Sequence, residues 1–139
     1  MVKSTIFAVL VLAVITVSCG GGMSDPANRQ LLSLTVTPAT ADAQSYPNGQ
    51  VPFVATGHFS DGTQAKVTVL WTLNPVFSLT PSTPIPGGIS LSSSGMAQCT
   101  GFTGSSGVFA TRPVDVNMPL SKMTMLTKNV SGTALLTCP

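Results

Sequence analysis

No glutamate occurs in the chain, and its acids are four aspartates, Asp25, Asp42, Asp61 and Asp115, far apart in sequence. There is one histidine, His58, one tryptophan and one tyrosine. Hydrolytic chemistry needs a base with an orienting partner or a pair of carboxylates, and no such constellation can be assembled from this inventory. Calcium needs several oxygen ligands, usually multiple carboxylates. Zinc needs spaced thiols and imidazoles, which two thiols and a distant His58 do not provide. No cofactor is therefore expected, and the chain reads as a non-enzyme. Basic charge is equally thin: the formal net charge is +2, and once Lys3 is set aside with the leader, five scattered Lys and Arg residues remain. A nucleic-acid partner would need those charges clustered on one face, so none is expected. Long helices are excluded too, because 11 prolines and 13 glycines recur too often for a 3.6-residue period to survive.

The one long apolar run, Ile6 to Val17, lies behind Lys3 and ahead of Ser18-Cys19. It is too short for an ordinary membrane span and has the order of an export signal: a basic start, an apolar stretch and a small residue at the cut. Val17-Ser18-Cys19-Gly20 resembles the lipobox of bacterial lipoproteins, with Thr16 standing where leucine is usual. The resemblance implies that Cys19 is acylated and becomes the first residue of the mature protein, anchored to a membrane; the alternative is plain secretion. Gly20 in place of aspartate after that cysteine points to the outer membrane or cell surface rather than the inner membrane. Gly20-Gly21-Gly22 and the polar Met23–Gln30 stretch read as a flexible tether. The expected organisation is a signal peptide over 1–18, a lipidated linker over 19–30 and a single domain over 31–139.

Within that domain the clearest pattern runs from Val51 to Leu73. Val51, Phe53, Ala55, Gly57 and Phe59 alternate, as do Val67, Val69, Trp71 and Leu73, with Ser60-Asp61-Gly62-Thr63 as a turn between them. The two runs read as an antiparallel pair that needs further strands to cover its apolar face. Leu32, Leu34 and Val36 alternate before Pro38, and Ala39–Gln50 is a weaker extended piece ending in a Pro47-Asn48-Gly49 turn. Beyond Leu73 the spacing predicts a short strand over Phe77–Thr80 and a Pro-rich loop over Pro81–Gly88. Short strands over Ile89–Ser92 and Met96–Thr100 flank Ser93-Ser94-Gly95, and a flexible glycine turn over Gly101–Gly107 precedes a strand over Val108–Val114. Met118–Val130 shows no clean period and reads as an irregular excursion before a last strand, Thr133–Cys138. Seven to nine short strands with frequent turns predict an all-β, two-sheet sandwich.

Leu34-Thr-Val-Thr-Pro-Ala39, Gly49-Gln50 leading into Phe53-Val-Ala-Thr-Gly57, Phe59-Ser-Asp-Gly62 and Val67-Thr-Val-Leu-Trp71-Thr72 form an ordered set. It resembles the group 2 bacterial immunoglobulin-like domain, a β-sandwich module of surface proteins such as intimins and invasins. The resemblance spans roughly Leu31 to Cys138 and is strongest before Leu73. It implies an immunoglobulin-like sandwich and an envelope role in adhesion, spacing or assembly, with an unidentified protein or glycan partner.

Three residue sets complete the reading. With Cys19 acylated, Cys99 and Cys138 remain as a pair for an oxidising compartment, a disulfide being the expectation and buried free thiols the alternative. Trp71 shares the phase of Val69 and Leu73 and is expected in the core. A carbohydrate-binding module of the cell envelope is the alternative function; it would need exposed rings to stack on sugars, and Tyr46 and Phe102 are the candidate contacts.

Overall fold

The computed structural model describes residues 29–73 and 88–139. The expected leader, Cys19, most of the linker, the Phe77–Thr80 strand and nearly all of the Pro81–Gly88 loop lie outside these residues. The described chain is built from ten strands: β1 (Leu31–Thr37), β2 (Thr40–Asp42), β3 (Gln50–Pro52), β4 (Val54–Phe59), β5 (Gln64–Lys66), β6 (Leu70–Thr72), β7 (Ile89–Leu91), β8 (Met96–Cys99), β9 (Gly104–Pro113) and β10 (Asn129–Cys138). Among the described residues the helical pieces are single 3-10 turns, at Ala43–Ser45, Pro47–Gly49 and Leu120–Lys122.

Pairing gives three ladders, β1-β4-β5, β3-β8-β7 and β2-β10-β9-β6. The first two belong to one layer: β3 and β4 are separated only by Phe53, whose amide donates to Gly95 O at 2.8 Å beside β8. The third ladder is the other layer, so the described residues form an all-β, two-sheet sandwich. The chain passes from one layer to the other through Pro38, which follows a cis peptide bond between β1 and β2. A second crossing, at 67–69, joins β5 to β6.

Alternation explains the core. Val51, Phe53, Ala55 and Phe59 are all nearly inaccessible on the inner face of β3–β4, while Val54, Thr56 and His58 are half-exposed on the outer one. From the opposite layer Val108, Ala110, Ala134 and Leu136 meet them. Burying one large apolar side chain contributes about 1.5–3 kcal/mol, so the clustering of Leu31, Val51, Phe53, Val108 and Leu136 is the main source of cohesion. The layers close tightly where β1 meets β10: a Cβ on Gly132 would stand 2.8 Å from Leu34 O.

Three sequence expectations change. Beyond Val67, whose amide donates to Ala55 O at 3.0 Å, the second alternating run does not pair with the first: the hairpin partner of β4 is β5, with Gly57 opposite Ala65, whereas β6 pairs with β9. Val67 to Leu73 alternate because they enter the core while crossing between layers; alternation reports burial and is silent about the partner strand. The glycine-rich Gly104–Gly107 segment is part of β9, matched residue for residue to β10 from Cys138↔Gly104 onward. Its glycine content has a packing reason at Gly107, where a Cβ would approach the Phe109 ring to 2.8 Å. Finally, β10 begins at Asn129 and is held on both sides, by β9 and, in parallel, by β2. The irregular excursion is therefore confined to 114–128.

Candidate functional site

The ten-residue ladder of β9 and β10 sets two ends about 30 Å apart, at roughly 3.3 Å per residue. Cys138 and Gly104 mark one end, Asn129 and Pro113 the other. The expected site residues that the structure describes, Cys99, Cys138, Tyr46 and Phe102, all lie at the first.

At the first end Cys99 and Cys138 form a disulfide, with Cα atoms 5.9 Å apart. Cys99 closes β8 in one layer and Cys138 closes β10 in the other, so the bond ties the two layers together. Tyr46 and Phe102 lie at this same end. Tyr46 precedes β3, whose Gln50 is opposite Gln98 of β8, and Phe102 follows β8. Both side chains are partly buried and packed against the core, with the Phe102 ring beside Gly104. Neither presents a fully open face of the kind that stacks on a sugar. The local chain explains the tuck: Asp42 accepts from Gln44 N at 3.0 Å and starts the 3-10 turn that brings Tyr46 back. Asn48 and Gly49, both at positive φ, then return the chain to β3.

At the second end the chain enters the domain. Arg29 and Gln30, assigned to the linker on sequence grounds, already contact it. The Arg29 guanidinium sits 3.8 Å over the Phe59 ring, 4.0 Å from Asp61 and 3.4 Å from Thr63 Oγ1. Gln30 bridges Asp115, and Leu31 N donates to Val114 O at 2.9 Å. No alternation marks Arg29, so its seat on Phe59 has no signature in the sequence. Around it an open groove of about 400 Å³ is lined in part by Arg29, Asp115, Asn117, Met118 and Lys128. Asp61 is held below the ordinary aspartate range chiefly by the Thr63 hydroxyl and amide, at 2.6 and 2.9 Å, with Arg29 adding and partial desolvation opposing.

The loop 114–128 hangs from this end. Arg112 holds its start, donating to Val116 O at 3.0 Å and to Thr68 O in the crossing between layers. Met123 anchors it inward, 4% exposed. Its tip is a turn in which Thr127 N donates to Thr124 O at 3.1 Å and Thr124 N donates to Thr127 Oγ1 at 2.9 Å. The two residues between, Met125 and Leu126, are 69% and 98% exposed.

A second groove, about 370 Å³, lies beside the 67–69 crossing, with Val54, Lys66, Thr68 and Ser94 along it and Trp71 in its wall. Trp71 is 8% exposed and packed against Gly95, a core position as the sequence phase implies. His58 faces outward from β4 with Nε2 3.0 Å from Thr35 Oγ1 of the neighbouring strand. The contact joins β1 to β4 on the outer face of their sheet. Among the described residues no group of three or more His, Cys, Asp or Glu side chains converges on a point where a metal ion could sit.

The chain matches no family model and no curated protein.

Proposed function

We propose that this protein is a non-enzymatic, lipid-anchored immunoglobulin-like module of a bacterial cell envelope, serving adhesion, spacing or assembly. The observation that carries the reading is the Cys99–Cys138 bond between the two layers, taken with the export signal and the Ser18-Cys19 junction. A disulfide persists in an oxidising compartment, and a leader of this order delivers a chain to one. Acylation of the first cysteine leaves the other two to pair. The group 2 bacterial immunoglobulin-like resemblance supports the same role.

Intact-mass measurement of the protein extracted from membranes tests this. The expected product begins at Cys19 and carries a diacyl or triacyl addition; a soluble product starting elsewhere sinks the anchor. The carbohydrate-binding alternative rests on Tyr46 and Phe102 lying at one end of the sandwich. Polysaccharide binding abolished by Tyr46→Ala without loss of stability would favour it.

A further inference from the structure

The turn at Thr124–Thr127 carries methionine and leucine where turns ordinarily place Gly, Asn, Asp or Ser. Both side chains stand in solvent, and two large adjacent apolar groups at the tip of a loop mark a contact surface rather than a fold requirement. Three further observations say what they face. The tip is on the end of the sandwich at which Arg29 enters, since Lys128 and Arg29 line the same groove. Exposed Lys122 and Lys128 flank the turn, and the nearby acids are engaged: Asp115 Oδ1 accepts from Asn117 N at 2.9 Å, and Asp61 is bound by Thr63 and faces Arg29. Nine residues, 20–28, lie between Cys19 and Arg29, a length that reaches at most about 35 Å even when fully extended.

We propose that the loop 118–128 is a second membrane contact, in which Met125 and Leu126 enter the interfacial zone of a bilayer while Lys122 and Lys128 meet anionic phospholipid headgroups. The inference rests on the lipid anchor proposed above. A lipidated cysteine on a tether holds the domain at the membrane but leaves it free to rotate, whereas an apolar tip flanked by lysines adds a contact that orients it. The short tether keeps the tip at high local concentration at the surface. The sandwich then stands on its Arg29 end, with the disulfide end, Tyr46 and Phe102 directed away from the membrane.

The test uses the full chain, exported, extracted and reconstituted into phosphatidylethanolamine–phosphatidylglycerol vesicles containing a nitroxide lipid. Ser121→Cys and, separately, Ser45→Cys carry a fluorophore; both positions are exposed, one on the loop and one at the disulfide end. Several-fold stronger quenching at 121 than at 45 is expected, and Met125→Ser/Leu126→Ser should remove the difference. Equal quenching at both positions in a chain whose mass shows acylation overturns the membrane contact and leaves the anchor standing. Quenching at 121 in a chain without acyl groups supports the contact and overturns the anchor; a chain with neither overturns both. A label at 121 that crosslinks to another copy but is not quenched by lipid shows that a second copy covers the turn, and the proposal falls.

Discussion

At the end closed by Cys99 and Cys138, the Tyr46 and Phe102 rings are folded against the core; at the opposite end, Met125 and Leu126 are held out in water by a two-threonine turn. The contrast is one of construction. The disulfide end joins the termini of β8 and β10 covalently, and a pair of 3-10 turns returns the chain directly from β2 to β3. The Arg29 end has no covalent tie among the described residues and is held by polar contacts: Arg29 over Phe59, Arg112 to two carbonyls, Gln30 with Asp115. One end is therefore built for cohesion, and the other presents a surface.

The largest expected effect comes from breaking the cohesive end. Cys99→Ser/Cys138→Ser reopens a loop of 39 residues, and should cost about 2–4 kcal/mol and several degrees or more in melting temperature. Thermal unfolding of the two proteins checks this, and peptide mapping without reductant should recover a 99–138 linked pair. Two thiols freely alkylated from native, oxidised protein would refute the pairing. Because β10 is paired with β9 along its whole length and with β2 over 135–137, near its end, the double variant should unfold at lower temperature without fraying first at its C-terminal strand. Hydrogen exchange at Ala134 and Leu136 distinguishes the two outcomes.

A smaller effect sharpens the comparison between ends. Phe102→Ala removes a ring only partly buried, so about 1–2 kcal/mol is expected, below the cost for a fully buried phenylalanine. Leu126→Ser, which removes an equally apolar group from the opposite end, should change stability by no more than about 0.5 kcal/mol. Denaturant titrations of the two variants in parallel decide the matter. Equal losses would mean that the turn at Met125–Leu126 packs against something in the folded chain.

The different legibility of these regions in the sequence has a physical cause. Period-2 alternation is imposed wherever one face of an extended chain is buried, so Val51 to Phe59, Trp71 and the last strand can be read directly. Pairing partners leave no such trace: Gln64–Lys66 is exposed throughout and yet forms the true hairpin with β4. Glycine misleads in the same way, since Gly107 suggests a turn but makes room for the Phe109 ring within a strand. The disulfide was readable from cysteine arithmetic and compartment. Arg29 was not, because a cation seated on an aromatic ring depends on Phe59 arriving from another part of the chain. Tyr46 and Phe102 could be picked out as aromatic residues in loops, but whether a loop ring is tucked in or held out depends on the turn geometry around it.

The smallest effect lies at the polar end, where Asp61 offers a titratable probe of how that end is held. Its carboxylate accepts from the Thr63 hydroxyl and amide and faces Arg29 at 4.0 Å. These interactions hold its folded pKa below the ordinary aspartate value, the Thr63 hydroxyl first among the causes. A lowered folded pKa means that the unfolded chain takes up the proton first as pH falls. The stabilisation from Asp61 is therefore fully present above the ordinary aspartate pKa and is lost as pH falls through the lowered folded value. Asp61→Asn should destabilise the domain slightly near neutral pH, by the same amount down to mildly acidic conditions. The gap from the parent should then narrow and close in strong acid. The Arg29 contribution should weaken with added salt, because both side chains are partly solvated, whereas the Thr63 hydrogen bonds should not. Melting temperatures of parent and variant across a pH series, at low and high salt, measure both trends. A gap that widens in acid would reverse the sign of the linkage and remove Asp61 from the forces holding the Arg29 end.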